Sequence, residues 1–139
     1  MNTPYVPAPL RRLVVERAGN RCEYCGIPEA ATFAAYELDH IVAQKHGGQT
    51  EPGNLALSCA LCNKHKGSDL TSVDPETGNI IPLYHPRRDM WSDHFKLDQT
   101  RIVPLTAKGR VTIQLLQLNR PERVEERARL IEAGLYGFS

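Results

Sequence analysis

Nowhere does this chain hold an apolar run approaching the roughly 18 residues that a membrane-spanning helix needs. The segment Met1 to Pro9 also lacks the basic-then-apolar layout of a secretory leader. These two absences predict a cytoplasmic protein with no membrane partner. Net charge is missing too: 17 Lys and Arg stand against 16 Asp and Glu, a formal +1. No whole-chain field therefore draws in a polyanion, and any affinity for nucleic acid has to come from local clusters. Internal repeats, low-complexity tracts and long linkers are absent as well, so the 139 residues are expected to form one domain.

Cysteine is scarce, but its placement is informative. The four cysteines fall as two tight pairs, Cys22/Cys25 and Cys59/Cys62. A reducing cytosol disfavours disulfides, and two Cys-x-x-Cys knuckles brought together make the tetrahedral sulfur cage that zinc prefers. With every position filled by sulfur, such a zinc has no opening for substrate and is structural. Its binding also compensates for a small core, since structural zinc in small peptides binds with about 10–16 kcal/mol. Gly26 supplies backbone room after the first knuckle, and Arg21, Lys64 and Lys66 are the nearby cations expected to hold the thiolates deprotonated.

Around the knuckles the pattern alternates between helix and strand. Leu10, Leu13, Val14 and Ala18 recur at helical spacing, predicting a helix over residues 9–19 that ends at Gly19-Asn20. Residues 33–38 are mostly apolar and predict a strand that ends or bends near His40, followed by a loop at Gly47-Gly48 and Pro52-Gly53. Leu55-Ala56-Leu57 predicts a second strand, and Ala60 to Lys66 a helix with Gly67 as its C-cap. Turn formers dominate from Ser68 to Gly78. Short extended segments are expected over 79–84, 91–97 and 101–105, and two closing helices over 111–118 and from Pro121.

Between the knuckles stand Leu38-Asp39-His40-Ile41-Val42, then Gly47-Gly48, Asn54-Leu55, and Cys62-Asn63-Lys64-His65-Lys66-Gly67. From Cys22 to Gly67 this order resembles the HNH nuclease family. The resemblance implies an α+β, ββα-metal (His-Me finger) core with flanking helices. It also implies an endonuclease that hydrolyses phosphodiester bonds of nucleic acid, DNA being the expected partner. By the same resemblance His40 matches the general base, and Asp39 and Asn63 match the ligands of a catalytic divalent ion, Mg²⁺ or Mn²⁺. Asn54 matches the middle asparagine that braces the loop, and cleavage is implied to leave a 5′-phosphate and a 3′-hydroxyl. The residue types suit the chemistry: imidazole titrates near neutrality, and oxygen donors suit hard cations. The third family position is often histidine, and here it is Asn63. His65 lies two residues on, about 200° around a helix, and faces elsewhere.

Lys45, His46, Lys64, Lys66, Arg11, Arg12, Arg87 and Arg88 are candidate phosphate contacts. Residues 99–139 hold seven Lys and Arg against four Glu. There Arg120, Arg123, Arg127 and Arg129 are expected either to pair with glutamates or to face nucleic acid. Residues 82–95 mix aromatics, His85, His94 and two arginines, as a binding cleft could. Trp91 and Phe95 are expected to pack in the core, and His85 and His94 to be structural. One rival reading is a catalytically inactive, zinc-stabilised module that binds nucleic acid or protein. A second is a redox-active or metal-storage cysteine protein. A monomer nicks one strand, whereas a homodimer brings two sites together.

Overall fold

The computed structural model describes residues 5–136. Helix α1 (Ala8–Arg17) starts with proline in its first turn, where the missing N–H costs nothing, and buries Val14. Its last residue, Arg17, donates to the carbonyls of Pro52 (3.0 Å) and Leu55 (2.7 Å), which fixes α1 across the central loop. The first knuckle follows, with Gly26 at φ +80°, a left-handed conformation that a side chain would strain.

Strand β1 (Glu37–His40) pairs antiparallel with β2 (Leu55–Ser58), Asp39 opposite Ala56 and His40 opposite Leu55. The strand is shorter than its apolar lead-in predicts. Phe33 is fully exposed, because the stretch before Glu37 is tied back to the knuckle instead of to β2. The Tyr36 hydroxyl donates to the Ile27 carbonyl (2.7 Å), and its N–H donates to the Glu29 carboxylate (2.8 Å). Helix α2 (Ala60–Lys66) follows β2 after one residue, Cys59, whose Sγ accepts from the Cys62 N–H and caps the helix. The strand, loop, strand, helix order is as the sequence predicts.

Beyond Gly67 lie two hairpins. Strands β3 (Thr71–Val73) and β4 (Ile80–Pro82) form one, and β5 (Phe95–Asp98) and β6 (Arg101–Pro104) form the other. Strand β3 stands in the stretch read from sequence as turns. The expected extended segment over 91–97 divides into a single helical turn, α3 (Trp91–His94), and β5. Helices α4 (Ala107–Leu116) and α5 (Pro121–Glu132) close the chain, α4 beginning four residues earlier than its apolar run because Thr106 caps it from the Gly109 N–H.

One cluster of buried side chains joins these parts. It runs from Val14 through the knuckles, Ile41, Leu55 and Leu57 to Tyr84, Phe95, Ile102, Leu116 and Leu118. Trp91 and Phe95 stack at 5.0 Å, and the Trp91 indole donates to the Tyr24 carbonyl (3.1 Å), so both serve packing as expected. Among the described residues no helix is long and apolar enough to cross a membrane.

Candidate metal centres and catalytic face

The two knuckles meet. The Sγ atoms of Cys22, Cys25, Cys59 and Cys62 all lie within 4.8 Å of one another, and all four residues are buried. Zinc–sulfur bonds of about 2.3 Å put the edge of a tetrahedron near 3.8 Å, and Cys25 Sγ stands 3.8 Å from Cys59 Sγ. The donor set fits zinc. Burial, with the neighbouring cysteines adding to it, pushes the Cys22 and Cys62 thiols well up, so four charged sulfurs need a cation at their centre.

The cation that touches the sulfurs from outside is not one of those expected. Lys66 reaches Asp39, and Arg21 donates to the carbonyls of Gly26 and Leu135. Arg123 of α5, 2% exposed, instead donates to both Cys62 Sγ and Cys59 Sγ at 3.4 Å each. Its forked guanidinium spans two thiolates as it would a carboxylate, and removes part of the cage's negative charge. Arg127 is also buried, held by the carbonyls of Thr100 and Leu118 at 2.7 Å. These two arginines therefore neither pair with glutamates nor face nucleic acid. Arg87 pairs with Glu23 and is likewise committed inside the fold. Arg120 pairs with Glu122 at 3.4 Å on the surface.

The loop between β1 and β2 is closed by Asn54. Its Oδ1 accepts from the Val42 N–H (2.9 Å), and its Nδ2 donates to the carbonyls of Val42 (3.0 Å) and Gln49 (2.9 Å). Gly48 permits this closure, since a Cβ there would stand 1.7 Å from the Val42 carbonyl oxygen. At the end of β1 the His40 Nε2 meets the Thr50 hydroxyl at 2.8 Å, and Nδ1 has no hydrogen-bond partner among the described residues. Burial lowers the His40 pKa, with Asp39 opposing, which favours the neutral ring with one nitrogen free to take a proton.

Asp39 turns inward, 4% exposed. Its Oδ2 accepts from the Tyr24 hydroxyl (2.6 Å), and the Lys66 ammonium lies 3.2 Å from Oδ2 and 3.4 Å from Oδ1. Tyr24 stands between the two cysteines of the first knuckle, so the zinc cage and this carboxylate share a rigid support. Burial raises the Asp39 pKa, while Lys66 and the Tyr24 hydroxyl lower it. Asn63 lies one turn before Lys66 on α2 and donates its Nδ2 to the Glu37 carboxylate. His65 faces α4, its Nδ1 3.4 Å from Gln117, so it does not join Asn63. Asp39 and Asn63 thus stand on the adjoining strand and helix, Asp39 held by Tyr24 and Lys66 and Asn63 by Glu37, and a carboxylate and an amide oxygen are donors of the type hard cations take. Lys66 already neutralises Asp39, and a cation in the seam would share that carboxylate with it.

His94 and His85 serve the fold, as expected: His94 Nδ1 meets the Thr106 hydroxyl at 2.7 Å, and His85 Nδ1 accepts from the Arg87 N–H at 3.1 Å. Sequence reading missed Tyr24 and Glu37, and named Arg123 only as a partner of glutamates or nucleic acid. Only Glu37 carried a local signal, two residues before Asp39 on the same strand face.

The HNH endonuclease family model matches residues 22–69, which span both knuckles, β1, β2 and α2. Over 127 residues the chain is 26% identical to Septu protein PtuB of Bacillus thuringiensis, covering 87% of this chain and 44% of that protein. To PtuB of Bacillus mycoides (strain KBAB4) it is 24% identical over 155 residues, covering 91% of this chain and 52% of that protein. To Septu protein PtuA of the same strain it is 30% identical over 93 residues, covering 59% of this chain and 13% of that protein. The chain therefore spans about half or less of the curated relatives it matches. No solved structure matches it.

Proposed function

We propose, from the match of residues 22–69 to the HNH endonuclease family model, that the protein hydrolyses phosphodiester bonds of nucleic acid, DNA in the first instance, with one divalent metal ion. The observation that carries the reading is the placement of His40: an imidazole at the end of β1, oriented by Thr50 through one nitrogen and open at the other. Such a ring takes the proton from a water as that water attacks phosphorus. Asn54 does not touch the substrate in this reading. It fixes the carbonyl and N–H of Val42, two residues from His40, and so sets the direction of the base.

Asn63 and Asp39 would hold the divalent ion, Mg²⁺ or Mn²⁺, which when bound supplies positive charge for the departing oxygen. The four-cysteine cage carries a structural zinc and holds Tyr24 against Asp39. A nucleic-acid substrate is expected to lie along the exposed side chains of Lys45, His46 and Lys64 near the loop, which contact phosphate without reading sequence. Likeness to both Septu PtuB and Septu PtuA is the reason to expect a protein partner as well.

One observation favours the rival reading of a binding module without turnover, namely the Lys66 ammonium already seated on Asp39. The two readings separate in one experiment. Zinc-loaded protein is incubated with supercoiled plasmid, linear duplex, single-stranded DNA and RNA, in Mg²⁺, Mn²⁺ or excess EDTA. Cleavage that requires a divalent ion supports the nuclease, and retention of substrate without cleavage in either metal supports the binding module.

A further inference from the structure

The seam between β1 and α2 is built as two matched rungs. Glu37 and Asp39 stand two apart on one face of the strand, about 6.8 Å along it, and Asn63 and Lys66 stand three apart on the helix, about 4.5 Å along its axis. Lys66 meets Asp39, and Asn63 meets Glu37. The first rung is buried and neutral, whereas the second is open to solvent.

The chemistry of the second rung fixes the orientation of an amide. An ionised carboxylate only accepts hydrogen bonds, so the edge of Asn63 that faces Glu37 must be its NH₂ group. The carbonyl oxygen Oδ1 is then turned away from Glu37. Hard divalent cations take the carbonyl oxygen of an asparagine and not its nitrogen. Whether Asn63 can serve as a ligand therefore depends on which way its amide is held, and the group that holds it is Glu37.

We infer that Glu37 is a positioning residue of the divalent-metal site, acting through its hydrogen bond from Asn63 to keep Oδ1 available to the cation. This rests on the reading of Asn63 as a ligand. Metal sites are commonly built this way, with an outer partner orienting each ligand, and loss of such a partner costs about 10–100-fold in metal affinity.

The test is Mn²⁺ binding to the zinc-loaded full chain, read by electron paramagnetic resonance of the free ion, for wild type and for Glu37→Gln, Glu37→Ala, Glu37→Lys and Asn63→Ala. Zinc content and circular dichroism report the fold of each variant. Gln keeps an acceptor for the Asn63 NH₂, so Glu37→Gln is expected to stay within about threefold of wild type while Glu37→Ala loses about tenfold or more. Lys can only donate, draws Oδ1 toward itself, and is expected to lose the most. A loss in Glu37→Gln equal to that in Glu37→Ala overturns the positioning role in favour of a charge or ligand role. Wild-type affinity in Glu37→Ala with weakened Asn63→Ala overturns the inference alone. Wild-type affinity in Asn63→Ala overturns the metal-ligand reading beneath it.

Discussion

Asn54 uses both ends of its amide on one loop, accepting from the Val42 N–H and donating to the Val42 and Gln49 carbonyls. Asn54→Ala leaves those backbone groups without their partner, which costs about 2–3 kcal/mol at typical values for partly buried hydrogen bonds. Urea denaturation of the zinc-loaded protein measures it, and an unchanged midpoint contradicts the clamp. His40 has a pH signature. Burial lowers its pKa from the ordinary 6.5, so the ring stays neutral to lower pH and activity falls only as pH drops through the lowered value. The acid limb of kcat/KM is therefore expected to have its midpoint below about 6.5, provided cleavage and not product release is measured. Arg123 makes a third case. Arg123→Gln is expected to release zinc to a chromogenic chelator at least about tenfold faster than wild type, with Arg123→Lys between them, because outer partners of metal ligands carry affinity. The cysteines were legible from their spacing, whereas Asp39, His40 and Asn54 were named through the resemblance of their short stretch to the HNH family pattern. Arg123 was not, since it lies 61 residues from Cys62 and nothing local separates it from a surface arginine.

At the level of elements, the central strand–loop–strand–helix was legible because glycine, proline and cysteine punctuate it. Strand β3 was not, because only three residues pair, two of them exposed, and no alternation of apolar and polar residues shows through the turn formers around them. What holds this hairpin is Asp74 at its turn. The Asp74 carboxylate accepts from Arg110 of α4 at 3.0 and 2.8 Å, from the Glu76 N–H at 3.0 Å and from the Thr77 hydroxyl at 3.2 Å. Arg110 holds the Asp74 carboxyl below the usual range, so its stabilisation is present above the unfolded carboxylate pKa and is lost as pH falls through the depressed folded value. Asp74→Asn is expected to lower the urea midpoint at pH 7, with the gap to wild type closing as the buffer is taken down through the carboxylate range. A gap that persists unchanged in acid assigns the effect to packing instead of charge.

At the scale of the whole molecule, the family match ends at residue 69, but the folded unit does not. Phe95, Ile102, Leu116, Leu118 and Leu130 complete the buried cluster around the knuckles, and α5 supplies the guanidinium that braces the cage. A fragment of residues 22–69 is therefore expected to stay unfolded when zinc is added, as read by circular dichroism, while the full chain folds and loses structure on prolonged chelation. The proposed base, the proposed metal ligand and the first knuckle meet at β1: His40 at its end, Asp39 inside it, and Tyr24 of the first knuckle hydrogen-bonded to that carboxylate.

The most direct test of the account is cleavage of supercoiled plasmid by wild type and by His40→Ala, each zinc-loaded, in Mn²⁺. Nicking by wild type that is lost in His40→Ala, with zinc content and circular dichroism unchanged, is the result the account predicts. Equal nicking by the two proteins removes His40 from the chemistry and contradicts it.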